Sequence, residues 1–355
     1  MPHQTLHTQA VELLRHLIRI PSFSREEHET ANLIEAFLQS HGMPTHRVLN
    51  NIWAVNKHFD NAKPSILLNS HHDTVKPNKG YTRDPYDAAI EDGKLYGLGS
   101  NDAGGCLVSL LATFLHYYSE VNLKYNFVFI ASAEEEITGA NGVELALNEI
   151  PPVDFGIVGE PTLLQLAIAE KGLMVVDAVA QGRAGHAARE EGENALYKAL
   201  EDVEAIRRLP FSRVSDLLGP VKLSVTVMET DNKAHNVVPA TCRFTIDCRV
   251  NELYTLEEVF ESMQQVVQSQ LTPRSMRIRS TSISLSHPMV QAGLALGKTC
   301  YGSPTTSDKA MMHFPTLKMG PGDSARSHTA NEFIFVQEIG EGIDTYIALL
   351  DQLVR

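Results

Sequence analysis

Three short apolar runs each stop at a cluster of acidic or imidazole side chains, and this limits how the chain can fold. Ser65–Asn69 (SILLN) runs into Ser70-His71-His72-Asp73-Thr74-Val75. Asn126–Ala131 (NFVFIA) runs into Ser132-Ala133-Glu134-Glu135-Glu136, and Phe155–Val158 (FGIV) into Gly159-Glu160-Pro161-Thr162. Continuous runs of this length suit strands buried on both faces. Titratable residues at their carboxyl ends suit the edge of an open α/β sheet, where ligands gather. Helical periodicity surrounds them. Thr8–Arg19 puts Val11, Leu14, Leu17 and Ile18 on one face, with Pro21 just beyond. Glu26–Ser40 turns Leu33, Ile34, Phe37 and Leu38 inward and stops at Gly42, and a third helix spans Gly104–Tyr118. Strands alternating with helices predict an α/β fold whose mixed, largely parallel sheet is flanked by helices.

The pattern changes after Lys171. Gly172–Gln181 reads as a strand and Glu193–Arg208 as a helix. Val221–Glu229 alternates apolar and polar residues. Thr241–Val250 does so too, with Cys242, Phe244, Ile246, Cys248 and Val250 on one face. Alternation means a sheet covered on one side only. A helix at Leu256–Gln270 and a strand at Met276–Leu285 are expected next. Helical character returns after His287 and ends in Glu338–Leu353. The expected organisation is a catalytic domain of residues 1–170 plus 285–355, interrupted by an α+β lid or dimerisation domain at 171–284.

The formal net charge of −13 argues against a protein that wraps a nucleic-acid backbone, which needs a concentrated basic face. No apolar run approaches the ~18 residues of a membrane span, and Met1–Ile20 has no signal-peptide core. Cys106, Cys242, Cys248 and Cys300 form no C-x-x-C pair and read as reduced, buried side chains. A cytoplasmic protein is the expectation.

Five segments carry chemistry. His71 and Asp73 lie two residues apart, on one side of an extended segment, so one can bind a metal while the other orients it. Gly97-Leu98-Gly99-Ser100-Asn101-Asp102 resembles a phosphate loop only superficially. It lacks the third glycine and the Gly-Lys-Ser/Thr, and Asp102 favours a cation where a phosphate would sit. Glu134-Glu135-Glu136 reads either as an acidic helix start or as a metal ligand beside a general base. Glu160 marks another strand end. Gly320-Pro321-Gly322-Asp323-Ser324-Ala325-Arg326-Ser327-His328 is a glycine-rich loop ending in histidine. Histidine and carboxylate donors without cysteine suit zinc. A shared aspartate would permit two ions a few ångströms apart.

Taken in order, SHHDTV, GLGSND, EEE, GEPT and GPGDSARSH resemble the dinuclear-zinc deacylases and exopeptidases, over essentially the whole chain. That family includes acetylornithine deacetylase, succinyl-diaminopimelate desuccinylase, aminoacylase and the glutamate carboxypeptidases. The resemblance implies two zinc ions per subunit, with cobalt able to substitute. One would be held by His71, Asp102 and Glu160, the other by Asp102, Glu136 and His328, with Asp102 bridging. Asp73 would orient His71, and Glu135 would be the general base. The register one residue earlier, with Glu134 as base and Glu135 as ligand, stays open, as does His72 in place of His71. Gly182-Arg183-Ala184-Gly185-His186 resembles the lid segment whose histidine reaches a substrate carbonyl across a homodimer. Asn236, in His235-Asn236-Val237-Val238-Pro239, and Arg249 would contact the substrate carboxylate. Family members often carry Lys or Arg two residues after the bridging Asp; here Gly104 stands there. The glycine-rich last motif resembles the acetylornithine deacetylase branch more than the desuccinylase branch. The expected activity is therefore amide hydrolysis of a small N-acyl amino acid. N-acetylornithine in arginine biosynthesis leads, ahead of N-acetylcitrulline or the N-succinyl equivalents. A dipeptidase or carboxypeptidase is the alternative enzyme, and a non-catalytic binding module the alternative of another class.

Overall fold

The computed structural model describes residues 3–189 and 191–355. Residues 1 and 2 of the first expected segment fall outside that range. Along the chain come α1 (His3–Ile18), α2 (His28–Ser40), β1 (His46–Val48), β2 (Asn51–Val55), β3 (Ser65–His71) and α3 (Gly105–Tyr117). Next are β4 (Asn126–Ser132), β5 (Phe155–Val158), β6 (Leu166–Glu170), β7 (Gly172–Gln181), β8 (Gly185–His186) and α4 (Ala195–Arg208). Then follow β9 (Lys222–Thr230), β10 (Val237–Val238), β11 (Thr241–Val250), α5 (Leu256–Gln264) and β12 (Gln270–Pro273). The last are β13 (Thr316–Lys318) and α6 (Val336–Val354). The chain divides into two compact units. The first holds the chain up to Ile168 with Ile283–Tyr301 and Ser307–Arg355, and the second holds Ala169–Ser282 with Gly302–Thr306.

In the first unit the strand order β1-β2-β4-β3-β5-β13-β6 gives a sheet with a parallel centre and antiparallel flanks. β3 and β4 are buried along their whole lengths, as two-sided burial requires. α3 is apolar on nearly every side, and each of its residues except His116 is buried. It packs with α1 and α6 in one core that includes Leu14, Phe114, Phe129 and Ile343. Buried hydroxyls there are satisfied: Tyr117 donates to the Ile347 carbonyl and to Asp351, and Tyr346 donates to the Met319 carbonyl at 2.7 Å.

The parallel register fixes the functional edge. His71 is level with Ser132, and Asn69 is level with Val158. The carboxyl ends of β3, β4, β5 and β13 therefore open onto one side of the sheet. Side chains just past those ends meet there, although they lie far apart in sequence.

In the second unit β9-β11-β7-β12 forms an antiparallel sheet. Cys242, Phe244, Ile246, Cys248 and Val250 pack inward against residues of α4 and α5. Two expectations fail here. The helix foreseen through Gln270 stops at Gln264, and the strand foreseen at Met276–Leu285 is reduced to a short pairing at Thr281–Ser282. The buried Asp202 carboxylate of α4 accepts the Gln268 and Ser269 amides, which takes those donors from any helix. Residues 270–273 then pair along the open edge of β7. Both partners are distant in sequence, so periodicity could not reveal them. Among the described residues no helix is long and apolar enough to cross a membrane.

Candidate metal centre

His71 ends β3 in a fully buried position. Its Nδ1 donates to the Asp73 carbonyl at 2.9 Å, so in the neutral ring the lone pair is on Nε2. That Nε2 has no hydrogen-bond partner. It faces Asp102 Oδ1 at 3.4 Å, Glu160 Oε1 at 3.8 Å and Glu135 Oε2 at 3.9 Å. On the other side of Asp102, His328 Nε2 lies 3.6 Å from Oδ2 and 3.0 Å from Glu136 Oε2. The two oxygens of one aspartate thus face two different histidines. The donor atoms of His71, Asp102 and Glu136 form one compact group, and those of His71, Glu135 and Glu160 a second.

The electrostatics suit cations. Burial pushes the Glu135 carboxyl well above its ordinary range; His71 pulls it back, while Glu160, Asp308 and Glu136 add to the rise. Burial would depress His71, yet Glu135, Asp102, Asp73 and Glu160 outweigh it and hold the imidazole well above its usual range. The Glu136 carboxylate holds His328 up at about 9. Without a metal the cluster draws protons to offset its own charge. Divalent cations would offset the same carboxylates and occupy the orphaned Nε2 lone pair. Oxygen and imidazole donors without sulfur fit zinc or a similar borderline ion, so the residues fit a dinuclear centre.

Local structure places each side chain. The Asp73 carboxylate does more than face His71, from which its Oδ1 lies 3.4 Å. It accepts the Glu135 amide at 3.0 Å, the Glu136 amide at 3.2 Å and the Ser24 hydroxyl at 2.7 Å, fixing the turn that carries both glutamates. Glu134, in the left-handed region at φ 54°, turns away and accepts from Asn141 at 3.1 Å. The earlier register of the acidic triplet therefore puts its base outside the cluster.

His72 also points away. Its ring lies between the Thr30 hydroxyl and the Asn50 carbonyl, both at 2.9 Å, and burial lowers it to about 4, so it is neutral. The two neighbours make opposite predictions. His71→Ala should abolish stoichiometric metal binding. His72→Ala should keep the metal content of the wild type while losing ~1–3 kcal/mol of stability, because it removes a buried ring and the donor to the Asn50 carbonyl, while the Thr30 hydroxyl keeps the Glu27 carbonyl. Metal analysis with urea unfolding of both variants checks this, and metal loss from His72→Ala alone would reverse the assignment.

Gly104 explains the missing basic residue: an added Cβ would lie 2.4 Å from the Gly99 carbonyl oxygen and 2.5 Å from a Leu14 methyl, so no side chain fits. Gly322 is comparable. Its φ of +86° and an added Cβ only 2.4 Å from Asn101 Oδ1 let the last loop press against the Asp102 segment. Arg326 anchors that loop through two bonds to Glu338 at 2.7 and 2.9 Å.

In the second unit, Gly185–His186 pairs with Val237–Val238, and the Ala187 amide donates to the Asn236 carbonyl at 2.9 Å. His186 and Asn236 therefore share one small ribbon. The His186 Nδ1 accepts from the Ala188 amide at 3.1 Å, which leaves the proton on the exposed ring's Nε2. Arg249 is engaged by Asp247 in a two-point contact at 2.9 and 3.1 Å.

Three buried carboxylates around the cluster have no signal in the sequence. Glu27 accepts the amides of Arg25 and Glu134, Asp308 accepts the Ser132 hydroxyl at 2.5 Å, and Glu332 accepts amides of the Asp102 segment. Asp308 and Glu332 are lone acidic residues whose partners lie far away in sequence, and Glu27, inside the charged run Arg25-Glu26-Glu27-His28-Glu29, is not set apart from its acidic neighbours.

The comparisons agree with this geometry. The sequence profile of peptidase family M20/M25/M40 matches residues 67–352. A succinyl-diaminopimelate desuccinylase 2 of Ruegeria sp. (strain TM1040) is 29% identical over 268 residues, covering 71% of this chain and 67% of that protein. A succinyl-diaminopimelate desuccinylase of Beijerinckia indica is 27% identical, covering 69% of each. Among solved structures, an M20 family metallo-carboxypeptidase of Sulfolobus solfataricus superposes with a TM-score of 0.77 at 18% identity, covering 97% of this chain and 98% of that one. A dinuclear metal-binding M20 peptidase of Bacillus subtilis gives 0.73 at 15% identity, covering 98% and 99%. With a profile match over most of its length and a histidine–carboxylate cluster at the carboxyl ends of its parallel strands, the chain belongs to peptidase family M20/M25/M40 and is a metal-dependent hydrolase.

Proposed function

We propose that the protein hydrolyses the amide bond of a small N-acyl amino acid, with Glu135 as the proton carrier. The observation that carries this reading is Asp102, whose two carboxylate oxygens face His71 and His328 while Glu135 sits at the end of the adjacent strand. In it, His71, Asp102 and Glu160 would hold one metal ion, and Asp102, Glu136 and His328 would hold the other. The ions would supply an acidified water and polarise the acyl carbonyl. Glu135 takes a proton from the attacking water and delivers it to the departing amine nitrogen. Its burial, which raises its proton affinity, suits both halves of that task. Asp73 holds Glu135 in place through the backbone amide.

Segment 171–284 would act as the lid and dimerisation domain. There His186, with its proton on Nε2, would donate to the developing oxyanion. Asn236 and Arg249 would receive the substrate carboxylate. For Arg249 this means exchanging Asp247 for the ligand, a swap that a guanidinium fork accommodates.

Two acyl classes remain in play. The glycine-rich last motif favours N-acetylornithine or N-acetylcitrulline and arginine biosynthesis. The curated relatives, being desuccinylases, favour an N-succinyl diamino acid. Initial rates on N-acetyl- and N-succinyl-ornithine, N-acetylcitrulline, N-succinyl-diaminopimelate and a set of dipeptides, with zinc or cobalt added, separate them. One N-acyl amino acid should exceed the dipeptides by at least ~100-fold in kcat/KM, about 2.7 kcal/mol of discrimination. Faster cleavage of dipeptides would replace the deacylase reading with a peptidase, and no turnover at all would remove it.

A further inference from the structure

The loop bearing Asp102 and the loop bearing His328 are tied together by a residue to which no chemistry has been assigned. Glu332 is 2% exposed. Its Oε1 accepts the Asn101 amide at 2.8 Å and the Asp102 amide at 2.9 Å, and its Oε2 accepts the Gly99 amide at 3.1 Å. Its own carbonyl accepts the Gly97 amide at 3.0 Å. It stands four residues after His328, so a single side chain links the two ligand-bearing segments. Asn101 adds a reciprocal stitch. Its side-chain nitrogen donates to the Asp323 carbonyl at 3.0 Å, and its side-chain oxygen accepts the Asp323 amide at 3.1 Å. The Asp102 backbone departs from helical geometry here, at φ −114° and ψ 99°, so the helix that follows cannot set its direction.

We infer that Glu332 is a positioning residue which fixes the Asp102 and His328 loops against each other before any metal arrives, so that the ion between Asp102, Glu136 and His328 meets a preformed site. The inference rests on the metal-site reading above. The physical argument is one of acceptor geometry. Three converging backbone N–H groups need two carboxylate oxygens, and no protein carbonyl could reach all three. A carboxamide supplies one oxygen and turns an NH2 toward the third amide, which repels it. An aspartate is one methylene too short to span both loops.

Two measurements test the clasp. The first is amide exchange in the metal-free wild type. The Gly99, Asn101 and Asp102 amides should be protected to the same degree with and without zinc. Protection that appears only on adding zinc would overturn preorganisation, and this test needs no variant to fold. The second is Glu332→Gln, read by chelator competition and by the visible spectrum of the cobalt-substituted protein. The affinity at the site of Asp102, Glu136 and His328, which draws on both clasped loops, should fall by ~10–100-fold, as outer partners of metal ligands do, with a changed spectrum, and the site that shares only Asp102 should fall less. Equal affinities and an unchanged spectrum would overturn the role. If the wild type bound no metal, the proposed function would fall, while the exchange experiment would still judge the clasp.

Discussion

Glu135→Gln is expected to lower turnover by ~100- to 10,000-fold, the range that a positioned proton carrier contributes, while metal content stays at the wild-type level. The separation of the two readouts is the point. Glutamine keeps the volume, and the amide of residue 135 still donates to Asp73, so the turn holds its shape. His71, Asp102, Glu136, Glu160 and His328 are untouched. What is lost is a basic oxygen in a buried pocket where carboxylate neighbours raise its proton affinity. Glu134→Gln gives the contrast. Glu134 is turned toward Asn141, so its replacement should leave turnover within a few-fold of wild type. A variant Glu135→Gln that turns over at near the wild-type rate with metal bound would remove Glu135 from the mechanism. A large loss at Glu134 with none at Glu135 would restore the earlier register.

Asp102→Ala should be the most damaging change to metal binding. Asp102 is the residue whose oxygens face both histidines, at 3.4 and 3.6 Å, so in the proposed ligand set its removal would deprive both ions of a ligand. Metal content should fall from two ions to one or none, and the affinity loss should exceed the ~10–100-fold that outer partners cost. Thermal stability offers an independent reading. A ligand at 100 times its Kd stabilises the native state by about 2.7 kcal/mol, so chelation should lower the melting temperature of the wild type by several degrees. The melting temperature of Asp102→Ala should respond less to a chelator than that of the wild type, in step with the metal it has lost. Two tightly held ions in Asp102→Ala would show that the aspartate does not bridge.

Much of this architecture is readable in the sequence, and the reasons are local. The runs before His71, Glu134 and Glu160 are apolar because each strand is buried on both faces, so they declare themselves without knowledge of their neighbours. The alternation of Thr241–Val250 equally announces a sheet with one covered face. The segments that misled are those with distant partners. Gln268 and Ser269 bond to Asp202, 66 and 67 residues away, instead of continuing the helix, and Gln270–Pro273 completes the edge of β7. The acyl group is illegible for a related reason, since it depends on pocket shape and not on the ligand set that dominates the motifs.

The sequence alone determined which residue types stand at the strand ends, and so the kind of chemistry available there. The tertiary structure decided which of them face one another. Burial sends His72 to Thr30 and Asn50 while His71 turns into the cluster, although both are histidines in the same motif. Close approach of Gly99 and Leu14 leaves position 104 no room for a side chain. Glu332, with nothing in its surroundings to mark it, acquires three amides only when two loops more than two hundred residues apart are folded together. Side-chain chemistry is written residue by residue, but orientation and charge balance depend on what the fold packs beside each group.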